Sequence, residues 1–246
     1  PYQNLILVVS VMILTFATGK CKQKLRFSAV KNHKTGKIFP GWCQQNDGGH
    51  RMAGKGGGGM IQLLPYNRRA AVAYAHKWAY TRNPAFYDFS EIGGDCTNFA
   101  SQCLYAGTGI MNFTPEFGWY YIDATDRSPS WTGVQFFWDF MTRPQPTDGP
   151  VGIQVHMNFL RPGDFIQLRF ENSGEVFAHT PVVVSVGAVP RPDNILIAAH
   201  SNDADYRPLD SYQNVVEWRF LHIVGALKVT DGPNNGQIRT GNGAES

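Results

Sequence analysis

The sequence predicts an α+β fold in which a helix that begins at a nucleophile packs on an antiparallel β-sheet carrying its base. Three observations lead there. Apolar residues recur at helical spacing over 68–80 and again over 96–107. The segments 161–170, 176–186 and 195–202 are short apolar, β-branched runs separated by Gly, Pro and Asn turns. Gly93-Gly94-Asp95 leads directly into Cys96 at the start of the second helical pattern. At 246 residues with 43% hydrophobic side chains and six tryptophans, the chain is too apolar to be a disordered protein, and its length suits one domain with an appended tail. Four cysteines are too few for a disulfide-built scaffold.

Taken in order, residues 5–17 are uncharged. As a helix they would span about 20 Å, short of the ~30 Å hydrocarbon core of a bilayer. That length fits the apolar region of a signal peptide, and Ala17-Thr18-Gly19 is a small-x-small cleavage pattern, so residues 1–19 are expected to be a signal peptide or hydrophobic anchor. Residues 20–62 read as a basic, Gly-rich tail or linker. The formal charge of +3 averages two unlike parts: residues 20–60 hold nine basic side chains and one acid, whereas 61–246 hold thirteen basic and eighteen acidic ones. The basic run suits contact with an anionic wall or membrane surface, and no nucleic-acid partner is expected. Gly49 to Lys55 has the spacing of a phosphate-binding loop, but Gly56 stands where a Ser or Thr is needed, and four glycines cannot open a helix.

The domain is expected over 63–232, with 233–246 a disordered tail. Asn67 is positioned to cap the first helix, and Ala71, Tyr74, Ala75 and Trp78 form its apolar face. In the second, Phe99, Ala100, Cys103 and Leu104 face the core, Gly107 ends the element, and Asp95 stands at the N-cap. Cys96 in the first turn meets free N–H groups and the positive end of the helix dipole, which favour the thiolate. Cys103 lies about 10.5 Å further along the helix. That is beyond the ~7 Å reach of a disulfide, so it is expected as an inert core thiol. The stretch containing Val134, Phe137, Trp138 and Met141 reads as a core helix, while Trp119, Tyr120 and Tyr121 suit either a groove wall or the core.

A thiol nucleophile needs a base, and the chain has seven histidines. His33 and His50 fall in the tail, His76 on a helix face, His156 between short runs, and His222 inside an apolar strand as a satisfied sheet residue. His179 begins the 176–186 strand and His200-Ser201-Asn202 ends the 195–202 strand. Adjacent antiparallel strands would bring them together on one face, giving cysteine, base and an orienting polar residue. Pro181 has no ladder donor and marks a strand end, edge or bulge.

These residues resemble a known family. Gly94-Asp95-Cys96-Thr97 is similar to the nucleophile motif of NlpC/P60 hydrolases and CHAP amidases, which have papain-like folds. Leu160-Arg161-Pro162-Gly163-Asp164 resembles their L-x-P-G-D turn, and Ala178-His179-Thr180-Pro181-Val182 their histidine strand. The run from Tyr66-Asn67-Arg68 through Gly93-Gly94-Asp95-Cys96-Thr97-Asn98-Phe99-Ala100-Ser101-Gln102 to Ala199-His200-Ser201 resembles the amidase_6-type domain of that clan, over about 65–230. The resemblance implies a papain-like fold and a secreted or envelope-bound bacterial cysteine amidase or peptidase acting on peptidoglycan or peptide amides. In it Cys96 is the nucleophile and His179 the base. Either His200 or Asn202 orients the base, His200 being preferred because it ends the apolar strand run. The longer stretch between the His179 and His200 strands is a departure from the pattern. Acyl transfer to water would follow, with the Cys96 N–H as oxyanion donor. A non-catalytic wall-binding module and a thiol acyltransferase are the competing readings. No C-x-x-C or H-E-x-x-H spacing is present, so no metal or cofactor is expected. Asp203, Asp205 and Asp210 suggest an acidic site suited to amine-bearing substrates.

Overall fold

A computed structural model of the chain describes residues 60–143 and 147–230. The expected signal peptide, residues 20–59 of the linker and the 233–246 tail lie outside the described residues. No helix of the described residues is long and apolar enough to cross a membrane.

The first two helices form where the periodicity places them. In α1 (Arg68–Trp78) Asn67 Oδ1 accepts from the Ala70 N–H at 3.1 Å, and Ala71 and Ala75 are buried. In α2 (Cys96–Thr108) almost every residue from Cys96 to Leu104 is buried, because the helix runs through the centre of the domain. It ends at Gly109, whose φ of 65° permits the left-handed cap and whose N–H donates to the Tyr105 carbonyl. Gly107, expected as the stop, is instead a contact glycine within the helix. A Cβ there would lie 2.2 Å from the Tyr66 ring, so only hydrogen lets that ring close over α2. Two shorter helices follow, α3 (Pro129–Thr132) and α4 (Val134–Thr142), the latter burying Phe137, Trp138, Phe140 and Met141. Trp119 packs on Trp131 with ring centroids 4.8 Å apart and is fully buried, which makes it core and not a groove wall.

The strands are β1 (Met60–Leu64), β2 (Gly149–Val155), β3 (Phe165–Phe170), β4 (Val182–Val186), β5 (Ile195–Ala199), β6 (Ala204–Pro208) and β7 (Val215–Thr230). They form one antiparallel sheet in the order β1-β7-β3-β4-β5-β6, with β2 also paired to β7. The architecture is α+β, and β3, β4 and β5 are the adjacent antiparallel strands expected from sequence. Residues 60–62, read as linker, belong to β1.

Side-chain alternation divides the sheet into two packed faces. Phe165, Val182, Val184, Ala198, Leu221 and Ile223 join the helices in one cluster. Ile166, Leu168, Val183, Ile195, Ile197 and Ala199 point the other way, under Leu160 and Leu209. Residues 178–181 extend β4 along β3 without being part of the regular strand. Leu168 N–H donates to the His179 carbonyl at 3.1 Å and Ile166 N–H to that of Pro181 at 3.1 Å. Regular pairing starts only at Val182, after the proline.

The turn before β3 is fixed by Asp164, which is fully buried. Its carboxylate accepts from Arg68 at 2.6 Å, the Arg161 N–H at 2.8 Å and the Ile223 N–H at 3.1 Å, and pairs with His222 Nδ1 at 2.8 Å. His222 is thus a satisfied sheet histidine, and α1, the turn and β7 meet on one carboxylate.

Candidate active site

Cys96 is the first residue of α2 and only 8% exposed. The backbone N–H groups of Thr180 and Thr97 lie near enough to its Sγ to favour the charged form, and Thr97 Oγ1 lies 3.8 Å from it. Thr97 Oγ1 donates in turn to Thr180 Oγ1 at 3.2 Å. The N-terminal end of α2 is therefore docked on the residue next to His179. Burial pushes the Cys96 thiol up, outweighing those N–H contacts. Desolvation thus opposes the thiolate expected from the helix terminus and is the larger effect. Cys103 is fully buried in the helix-side core and, like Cys96, is a free cysteine.

His179 is 6% exposed and points away from the helices, on the face of Leu168, with which it forms a bridge. Its Nε2 lies 2.9 Å from Tyr212 Oη, and the Tyr212 ring packs edge-on against it at 5.3 Å. Burial first, then the positive charge of Arg207, push His179 down to about 4, so the ring is neutral at ordinary pH. Burial raises Tyr212 far enough to keep its hydroxyl protonated. A cleft of about 460 Å³ opens beside this pair, its polar wall made by His179, Ser201, Asn202, Arg207, Tyr212 and Gln213. Cys96 is not part of that wall, and among the described residues no hydrogen bond joins Cys96 to His179.

His200 lies elsewhere. Period-two alternation puts it on the face of Ala198, toward the helices, while His179 faces the opposite side. Its ring stacks on Phe99 at 3.9 Å, with Nδ1 2.5 Å from Asp95 Oδ2 and Nε2 donating to the Trp78 carbonyl at 2.8 Å. Both nitrogens are thus committed away from His179, and the preference for His200 as its orienting partner is not what the geometry shows. Asp95 also departs from expectation. It stands at the N-cap but makes no side-chain cap bond. Its Oδ1 accepts from the Phe89 N–H at 2.9 Å and from Asn98 Nδ2 at 2.8 Å, while Oδ2 meets His200.

Ser201 and Asn202, at φ 61° and 84°, form the turn after β5. Ser201 Oγ accepts from the Asp95 N–H at 2.9 Å, and Asn202 reaches the cleft wall without bonding His179. Tyr212, which does bond His179, was not singled out from sequence. It follows a short 3-10 turn at Leu209–Ser211 and carries no periodic signal. Asp203 and Asp205 are likewise spoken for, by Arg82 at 2.8 Å and His76 at 2.9 Å, so they do not make the cleft acidic. Among the described residues no group of three or more His, Cys, Asp or Glu side chains is placed to hold a metal ion.

A pH prediction follows from His179. In the unfolded chain a histidine titrates near 6.5, so between that pH and about 4 the unfolded state binds the additional proton. The folded state is expected to keep its stability above pH 6.5, to lose about 3 kcal/mol as pH falls toward 4, and to change little more through this group below that. Urea midpoints measured from pH 4 to 7 should decline more steeply for the wild type than for His179→Gln. Equal slopes would contradict the assignment.

Residues 65–223 match a family model described as "Putative amidase domain". The "Uncharacterized protein YhbB" of Bacillus subtilis (strain 168) is 33% identical over 170 residues, covering 66% of this chain and 52% of that protein. The chain spans about half the length of this curated relative. No solved structure matches the chain.

Proposed function

The chain belongs to the family described as "Putative amidase domain", and from that premise we propose that it is a cysteine amidase of papain-like type, with Cys96 as nucleophile and His179 as base. The observation that carries this reading is the docking of the Cys96 sulfur, at the open end of α2, on the N–H of Thr180 beside a neutral, anchored His179. Tyr212 engages Nε2, and Nδ1, which makes no hydrogen bond among the described residues, is the nitrogen this reading assigns to the thiol proton. With thiol and imidazole both neutral at rest, proton transfer to Nδ1 accompanies attack on the amide carbonyl instead of preceding it. The Cys96 N–H serves the developing oxyanion. The Asp95 N–H does not, being bonded to Ser201 Oγ. Protonated His179 then releases the leaving amine, and the neutral ring activates water to hydrolyse the thioester.

In this reading Tyr212 takes the orienting place expected for His200 or Asn202. For Nδ1 to act as base, Nε2 must carry hydrogen and donate to Tyr212 Oη, which fixes the tautomer. Tyr212→Phe is expected to lower kcat by about 10- to 100-fold with little change in KM. It should also move the acid limb of the pH–rate profile while changing stability by about 1 kcal/mol. A purely structural tyrosine would move the denaturation midpoint and leave the pH profile in place.

Cell-wall peptidoglycan is the proposed substrate and the cell envelope or exterior the proposed location. The resemblance to NlpC/P60 and CHAP hydrolases and the leader-like 5–17 segment support both. The test incubates the full chain with purified peptidoglycan and follows newly exposed amines, then repeats it after iodoacetamide treatment with the label mapped by mass spectrometry. Amine release that disappears as Cys96 is alkylated is the expected result. Labelling of Cys103 in its place, or release undiminished by labelling of Cys96, would remove the nucleophile assignment. Intact peptidoglycan beside turnover of simple peptide amides would remove the wall substrate alone.

A further inference from the structure

Resting on the amidase reading, we propose that the cleft beside His179 is a subsite for a carboxylate of the substrate, received by Arg207. Arg207 is the one permanently charged side chain in the cleft wall, and no acidic residue lines it. Its guanidinium is held in place: Nε donates to Ser211 Oγ at 2.7 Å, Nη2 to the Ser211 carbonyl at 3.3 Å, and its carbon lies 3.9 Å from the centre of the Tyr212 ring. None of these partners is a carboxylate, and among the described residues Arg207 forms no ion pair and its Nη1 no hydrogen bond. Arg82, by contrast, is matched by Asp203 at 2.8 Å.

A half-buried, pre-positioned cation whose remaining N–H groups face an open cleft is complementary to an anionic group of the bound molecule. The amides of Asn202 and Gln213 add neutral donors, and Phe170 and Ala178 form an apolar edge. For a peptide-type amide the anion is a carboxylate, on a side chain or at a chain end, a short distance from the scissile bond. Arg207 is close enough to His179 to help depress its basicity, so a carboxylate bound here lies next to the base and not on a remote surface. This reverses the amine-bearing substrate suggested by the aspartate count, because those aspartates are paired away from the cleft or lie outside its wall.

The test separates binding from turnover. In Cys96→Ala protein labelled with ¹⁵N, N-acetylglycine and N-acetylglycinamide are titrated as a matched pair and the backbone amides of Ser201, Asn202 and Gln213 are followed. N-acetylglycine is expected to bind at least about tenfold more tightly. The difference should disappear in the Arg207→Gln background and persist in part with Arg207→Lys. The same preference should appear in kcat/KM of otherwise wild-type enzyme for peptide amides bearing a free carboxylate over their carboxamides. Equal affinity of the two probes, or discrimination that survives Arg207→Gln, overturns the subsite. Should the glutamine variant fail to fold, the probe pair on the Arg207-containing protein still decides. Discrimination without hydrolysis of any amide would sink the amidase reading and leave the subsite standing, whereas hydrolysis without discrimination would do the reverse.

Discussion

In Cys96→Ala, kcat on a peptide amide is expected to fall by about 10⁴-fold or more, since deleting the nucleophile leaves only binding and oxyanion stabilisation. The fold should survive. The side chain removed is small, and the main structural loss is the acceptor for the Thr180 N–H, which costs about 1–2 kcal/mol when left unsatisfied. Cys96→Ser separates the two effects. Its oxygen can still accept from Thr180, so the unfolding midpoint should recover, yet kcat should remain close to that of the alanine variant, because the buried hydroxyl is far harder to deprotonate. Steady-state kinetics beside urea unfolding of the three proteins checks both parts. An alanine variant within tenfold of wild-type kcat would end the nucleophile assignment.

His200→Ala carries the largest expected stability effect, about 3–5 kcal/mol. The substitution takes the 2.5 Å partner from the buried Asp95 carboxylate, whose nearest remaining cation is Arg82 Nε at 3.7 Å, strips a ring from the face of Phe99 and abandons the Trp78 carbonyl. Removing one partner of a buried, carboxylate-centred hydrogen bond costs more than the bond contributes, because the surviving polar group stays desolvated. Denaturation midpoints should therefore drop steeply in His200→Ala and little in Tyr212→Phe, with the order reversed for the shift in the pH–rate profile. If His200→Ala kept wild-type stability and lost turnover, His200 and not Tyr212 would be the residue that orients the base.

The contrast between these two residues shows what could be read in the sequence. The positions of Cys96 at a helix start and of His179 beside β3 were legible because each sits where a local signal is strong: a Gly-Gly-Asp entry to a helical repeat, and the opening of an apolar strand run. The adjacency of β3, β4 and β5 followed from the same alternation. The orienting residue depends on which face a side chain takes, and that is decided by parity across the sheet. His200 ends the strand on the helix side, while Tyr212 arrives from irregular chain that no period describes. Gly107 was misplaced as a stop for a related reason, since its role is set by the Tyr66 ring, forty-one positions away in sequence. β1, β2 and β6 are edge or bulged strands, and their exposed or interrupted patterns (Pro150, Gly152, Tyr206 at φ 54°) gave no clean alternation.

The long strand β7 has a consequence for how the chain acquires this shape. Its sixteen residues pair with β1, β2 and β3, from Met60↔Thr230 to Phe170↔Val215, so it joins segments separated by about 45 to 170 residues. During synthesis the helices and the β3–β6 strands emerge first, with β1, β2 and one side of β3 lacking a partner until 215–230 leave the ribosome. Closing contacts of such high sequence separation is slow, and open strand edges are sticky while they wait. Nascent chains halted before residue 215 should be captured by chaperones or proteases, and release should coincide with the appearance of the last strand. Cys96 and His179 are both made early, yet the sheet that holds them is completed only at the end.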